Sequence, residues 1–209
     1  MYYTVLKEHC VENEAEFFRN LFFKYLNNPR YLREEILFSE IFEKIQLALK
    51  EKKKINIKYK GEIRTINPYF IKTASGEDRS YIFSYCEKNE NYRNYRIANI
   101  KNVSLSKYDT EFKNLEYIKN IRNNFDPFLS FNKVITIKMS EAGEELFERA
   151  IINRPKILEK NKNIWTLECT NKLAKVYFPQ FLSNVEILEP VELREWFKKE
   201  MQLCMNLYS

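Results

Sequence analysis

From Lys53 to Ser106 the side chains keep a period of two and leave no stretch long enough for a helix, which limits the possible folds more than any other feature of the chain. Ile55, Ile57 and Tyr59 alternate with Asn56, Lys58 and Lys60, a turn follows at Lys60-Gly61, and a run from Ile63 to Ile66 ends at Asn67-Pro68. Further alternating runs occupy Tyr69 to Thr73, Ser80 to Cys86, Tyr92 to Ile97 and Lys101 to Ser106, with loops at Ala74 to Asp78 and Glu87 to Asn91. About sixty residues holding five or six short strands predict a small, strongly curved barrel.

Helical patterns precede this region. In NEAEFFRNLFFKYLNNP, residues Phe18, Leu21, Phe22, Tyr25 and Leu26 share one helical face. Asn13 is an N-cap with Glu16 at the capping-box spacing, and Asn27-Asn28-Pro29 ends the helix. A second helix over Ser39 to Glu51 buries Ile41, Ile45, Ala48 and Leu49, and the run Glu51-Lys52-Lys53-Lys54 reads as its solvated end.

After the strands, Asn123-Asn124-Phe125-Asp126-Pro127 reads as a linker. A strand at Lys133 to Met139, a helix capped by Ser140 and running to Ile151, and strands at Arg154 to Glu159 and Asn163 to Cys169 then suggest a second, α+β module. Leu173 to Leu182 reads as helical, Val185 to Leu188 as a strand, and Pro190 opens a last helix burying Leu193, Trp196, Phe197, Met201 and Cys204. The expected class is α+β: helices over 1–51, a barrel over 52–122, a linker over 123–131 and an α+β extension over 132–209.

Charge points to the barrel. The net +6 is a weak guide in a chain so rich in Lys, Asn, Ile, Tyr and Phe, but its distribution is uneven. Residues 41–125 carry 18 Lys and Arg against 10 Asp and Glu, while residues 1–40 carry 5 against 7 and residues 126–209 carry 12 against 12. A polyanionic partner belongs in the middle segment. The 4 cysteines, Cys10, Cys86, Cys169 and Cys204, are widely spaced, which argues for reduced thiols rather than zinc or a disulfide framework. No apolar run has the length of a membrane span and the first residues lack a signal pattern, so a soluble cytoplasmic protein is expected.

Catalysis finds little footing. His9 is the single histidine, the glycines Gly61, Gly76 and Gly143 form no phosphate loop, and Glu144-Glu145 sit among other helix charges. A non-enzymatic protein with no cofactor and no metal is expected.

The stretch RSYIFSYC, Arg79 to Cys86, sets Tyr81, Phe83 and Tyr85 on one face and Ser80, Ile82, Ser84 and Cys86 on the other. A buried aromatic row is ordinary sheet packing; a row lining a groove beside Arg79 is a stacking platform for bases.

Four motifs in order carry a resemblance: INIKY at Ile55 to Tyr59, RTINPY at Arg64 to Tyr69, SYIFSY at Ser80 to Tyr85, and RNYRIANI at Arg93 to Ile100. The middle of the chain resembles a WYL domain, and VEILEPVELREWFKKEMQLCMNLY is similar to the end of the WCX extension that often follows one. In the triplet that names the family, Ser80 stands for Trp and Ile82 for Leu, and only Tyr81 is kept. Arg93 and Arg96 match the family's basic run, whose last basic position is Asn99 here. The segment KEHCVENEAEFFRNLFFKYL resembles part of a ribbon-helix-helix domain without its DNA-reading strand; a helical hairpin that dimerises accounts for it equally, and its acidic balance favours that.

The resemblance implies a small Sm-like β-barrel that holds a nucleotide or single-stranded nucleic acid, in bacterial transcription control or phage defence. It places Tyr81 outward and Ile82 inward. The expected binding residues are Lys58, Tyr69, Arg79, Ser80, Tyr81, Tyr85, Arg93 and Arg96, with Lys72 adding a sequence-independent attraction. Phe18, Phe22 and Tyr25 are the expected dimer contacts. The alternative is a dimeric accessory that docks a larger effector, such as an RNA-guided CRISPR nuclease.

Overall fold

The computed structural model describes residues 13–74 and 78–208. The start of the expected helical hairpin, with His9 and Cys10, and loop residues 75–77 lie outside the described residues. The protein is α+β, with helices first, two antiparallel sheets, and a long C-terminal helix.

Among the described residues, three helices lead in: α1 (Glu14–Leu26), α2 (Arg30–Leu37) and α3 (Ser39–Glu51). The Asn13 side chain caps α1 by accepting from the Glu16 N–H at 3.1 Å, as the capping-box spacing predicts. Helix α2 is absent from the sequence expectation, because Pro29 does two things at once: it stops one helix and opens the next. Helix α3 turns Phe42, Ile45 and Ala48 onto the sheet, at the three-residue spacing that keeps side chains on one face.

The first sheet holds β1 (Lys53–Tyr59), β2 (Glu62–Ala74), β3 (Arg79–Cys86), β4 (Asn91–Arg96) and β5 (Ile100–Asp109), in the order β4-β3-β2-β1-β5. The two short runs expected on either side of Asn67-Pro68 form one strand. Its first half pairs with β1 and its second with β3, and a bulge between Pro68 and Phe70 absorbs the proline.

The connection from β4 to β5 requires curvature. A flat five-stranded sheet sets its edge strands about 19 Å apart, four spacings of about 4.8 Å. The link is a single 3₁₀ turn, Ile97–Asn99. Even fully extended, four residue steps span at most about 14 Å. The sheet therefore curls until the end of β4 and the start of β5 are neighbours.

Both faces are covered. On one, Phe42, Ile45 and Ala48 meet Ile55, Ile57, Ile66, Ile82 and Val103. On the other, Tyr69, Phe70 and Phe83 meet Ile118 and Ile121 of α4 (Leu115–Asn123), with Phe125 and Phe131 of the expected linker packed at the margin. Helix α4 is a further addition to the sequence expectation; Asn114 caps it by accepting from the Tyr117 N–H at 2.9 Å. Lys54, expected at a solvated helix end, lies in β1 instead, only 9% exposed, its Nζ 2.7 Å from Glu87 and 2.5 Å from Glu111. Lys113 and Lys54 together hold the Glu111 carboxyl down to about 2.

The second sheet runs β7-β8-β6-β9, from β6 (Val134–Met139), β7 (Lys156–Asn161), β8 (Ile164–Glu168) and β9 (Val185–Glu189). With α5 (Glu141–Arg149) after β6 and α6 (Asn171–Tyr177) after β8, these strands form two interleaved βαβ units, the split βαβ arrangement. Helix α7 (Val191–Tyr208) closes the chain. Gly143 is needed where α5 crosses the segment before β9: a Cβ there would lie 2.5 Å from the Asn184 carbonyl oxygen. Cys86 and Cys169 are buried free thiols, and burial pushes Cys169 up to about 12. Among the described residues, no helix is long and apolar enough to cross a membrane, and no cluster of His, Cys, Asp and Glu is placed to hold a metal ion.

Candidate functional site

Register builds the site. Tyr81 of β3 sits between Lys72 of β2 and Arg96 of β4. Directly opposed residues of antiparallel strands share a face, with Cβ atoms about 4.5–5.5 Å apart. Lys72, Tyr81 and Arg96 therefore form one row across three strands. Arg79, two residues before Tyr81, points to the same side.

The next row inward is Phe70, Phe83 and Asn94, and it is core. Phe83 is 0% exposed, and the Asn94 side chain donates to the carbonyls of Asp126 and Pro127 at 3.0 and 3.1 Å. The aromatic row of RSYIFSYC is thus buried at its centre, Phe83, and half-buried at its ends, Tyr81 and Tyr85. Tyr81 is half-buried, its ring 6.2 Å from that of Phe125. Ile82 is fully buried on the opposite face.

The other expected residues scatter. Tyr69 is buried and donates its hydroxyl hydrogen to the Glu111 carbonyl at 2.9 Å; burial raises its pKa. Ser80 is buried on the Ile82 side. Tyr85 is half-buried, edge-on to Tyr92 at 5.4 Å. Arg93 is exposed on edge strand β4, opposite Ser84, and Lys58 is exposed on β1 beside Ile63 and Asn102. The fold brings together Arg79, Tyr81 and Arg96, and adds Lys72. On α1, Phe22 is 65% exposed and Phe18 also faces outward, whereas Tyr25 is half-buried.

Sequence reasoning missed what lies beyond Arg96. An Arg96 Nη donates to Glu34 of α2 at 2.5 Å, and Arg30 Nε approaches the same carboxylate oxygen at 3.4 Å. The Glu34 side chain is 8% exposed and that of Arg96 20%. The Arg30 N–H donates to Asp78 Oδ2 at 2.6 Å, pinning the start of α2 to the head of β3. Between α2 and the Ile97–Asn99 turn opens a cleft of about 440 Å³, lined by Tyr25, Arg30, Arg33, Glu34, Phe38, Arg96 and Asn99 among others. Where the WYL pattern has a basic residue, Asn99 brings none, yet Arg30 and Arg33 face the same cleft from the helix. The signal was present in RYLREEIL, whose Arg30 and Glu34 stand at the four-residue spacing of a helical ion pair.

The bent antiparallel sheet thus carries a cationic, partly aromatic row at one margin. Residues 40–105 match the family model of the WYL domain. No curated protein matches the sequence. In fold, the chain is similar to the crystal structure of a CRISPR Cas-related protein, with 17% identity and a TM-score of 0.69 over 88% of this chain and 56% of that one. It thus spans little more than half the length of that protein. A slighter likeness, TM-score 0.39 and 14% identity over 82% of this chain and 27% of the other, is to the proteasome accessory factor PafBC of Arthrobacter aurescens.

Proposed function

We propose that the chain is a non-enzymatic regulator whose curved sheet holds a nucleotide or a single-stranded nucleic acid at the end of the aromatic row. The observation that carries this reading is the Lys72–Tyr81–Arg96 row with Arg79 beside it. Guanidinium and ammonium groups meet phosphate there, and the exposed part of Tyr81 offers a ring to a base. The match to the WYL domain and the cationic balance of residues 41–125 support it.

Short labelled RNA and DNA strands, titrated by anisotropy at several salt concentrations, test it. Lys72→Ala and Arg79→Ala are expected to weaken binding of all sequences and to flatten the log–log salt slope by about 0.7 for each phosphate no longer neutralised. Tyr81→Ala is expected to cost about 1–3 kcal/mol while leaving that slope unchanged. Wild-type affinity in a Lys72→Ala/Arg79→Ala double variant sinks the assignment.

The regulator acts as a homodimer in this proposal, joined through α1. None of that helix's residues is buried, and Phe18, Leu21, Phe22, Phe23 and Leu26 all face solvent. Light scattering is expected to give twice the chain mass at micromolar concentration, and Phe18→Ser/Phe22→Ser to halve it; a wild-type monomer refutes the dimer. A second reading, an accessory that docks a larger effector protein, is favoured by the apolar end of α7, where Leu203, Met205, Leu207 and Tyr208 are exposed.

A further inference from the structure

We propose that the cleft between α2 and the Ile97–Asn99 turn binds a nucleoside phosphate, with its phosphate on Arg30, Arg33 and Arg96 and a base N–H on Glu34. The inference rests on the reading above, that this end of the sheet meets phosphate-bearing ligands. It adds a site of its own. Arg30, Arg33 and Glu34 lie outside residues 40–105, and the cleft exists only because α2 is seated on the sheet.

Two guanidinium groups, those of Arg30 and Arg96, pair here with one carboxylate, and a third, that of Arg33, lines the same cleft. Arginine's planar fork suits phosphate, engaging two oxygens at once. The protein's own groups leave hydrogen-bonding capacity open on both sides of this charge balance. Among the described residues, Arg33 Nε and Arg96 Nε are shielded from solvent without a hydrogen-bond acceptor, and Glu34 Oε2 is shielded without a donor. A molecule carrying phosphate oxygens and an N–H answers both once these side chains turn toward the cleft, whereas phosphate alone answers the arginines.

Size and walls agree. At about 440 Å³ the cleft falls within the ~300–1,000 Å³ of small-molecule sites. Tyr25 and Phe38 supply aromatic wall for a base. Arg30 is the outermost guanidinium, 45% exposed and only loosely paired with Glu34 at 3.4 Å, so its swing onto an incoming phosphate uncovers the carboxylate.

Calorimetric titration of the full chain with the four ribonucleoside monophosphates and with inorganic phosphate tests the site. Nucleoside monophosphates are expected to bind at least about tenfold more tightly than inorganic phosphate, the increment of one charge-assisted hydrogen bond. Guanosine monophosphate is expected to lead, since its Watson–Crick edge sets two N–H donors side by side for a carboxylate. Arg33→Ala is expected to weaken nucleotide binding about tenfold or more, Arg33→Lys to fall between, and Glu34→Gln to abolish the guanosine preference. Strand binding through Lys72, Arg79 and Tyr81 should stay within about twofold in Arg33→Ala, since that side chain is not in the row.

If strands bind as wild type but no nucleotide does, the cleft assignment is overturned and the strand reading stands. Nucleotide affinity unchanged in both Arg33 variants, or inorganic phosphate binding as tightly as the nucleotides, also overturns it. Nucleotide binding abolished in Arg33→Ala while strands fail in every form supports the cleft and removes the row.

Discussion

Phe83→Ala is expected to lower the unfolding free energy by about 3–5 kcal/mol, the range for emptying a buried aromatic position. Phe83 has no exposed surface, and its ring lies 5.0 Å from Phe70, 5.8 Å from Tyr69 and 5.6 Å from Tyr92, stacked on the last. Removing it leaves a hole between the sheet and α4 that β3 cannot fill, because its other face is packed against α3 through Ile82. Urea unfolding at unchanged m-value measures the loss. Tyr81→Ala, two residues earlier at the margin of the same row, is expected to cost less than half as much. A loss below about 1 kcal/mol for Phe83→Ala would mean that the aromatic face is open to solvent after all.

Arg96→Ala is expected to destabilise the fold by about 3 kcal/mol, at the low end for breaking a buried ion pair since the arginine keeps some exposure. The variant strands the Glu34 carboxylate, 8% exposed, with only the Arg30 contact at 3.4 Å. Glu34→Gln placed on top of Arg96→Ala removes the orphaned charge and should restore part of the loss. The four proteins of this cycle, compared by urea unfolding, give the coupling directly. Additive losses would mean that Arg96 and Glu34 do not act as a pair. Because Arg96 belongs both to this ion pair and to the proposed binding row, strand-binding assays are cleaner with Lys72 and Arg79.

Local patterns made much of the fold legible. The Asn13 cap, the buried stripe Ile45 and Ala48 of α3, and the alternation Ile55, Ile57 in β1 all stand as their spacing implied. What stayed hidden depended on tertiary context. Asn67-Pro68 looks like a break because proline cannot donate within a ladder, but the bulge lets β2 pass through and change partners there. Pro179 does interrupt: α6 stops at Tyr177, and a 3₁₀ segment, Phe178–Asn184, replaces the rest of the helix expected to Leu182. Helices α2 and α4 are short, 8 and 9 residues, so each gives its apolar positions little more than two turns in which to show a pattern.

At the site, Arg79, Tyr81 and Arg96 were legible from spacing together with the motif. Lys72 joins them only through register, which depends on where the bulge falls. Glu34 stands 62 residues before Arg96, with Arg30 and Arg33 just upstream of it, and no local pattern connects an arginine ending a strand to a helix that far away.

The Ile97–Asn99 turn works as a hasp. It fastens β4, at one edge of the curled sheet, to β5 at the other, and Asn99 also forms part of the cleft wall. Whatever lodges against it bears on the link between the two edges of the curled sheet rather than on a peripheral loop. For the proposed ligand, occupancy then registers as tightness: a molecule that binds only the fastened form stabilises it over an opened one, the more so the further its concentration exceeds its Kd. In the proposed regulator, such a device signals by how firmly it stays fastened, with no need to change its outline.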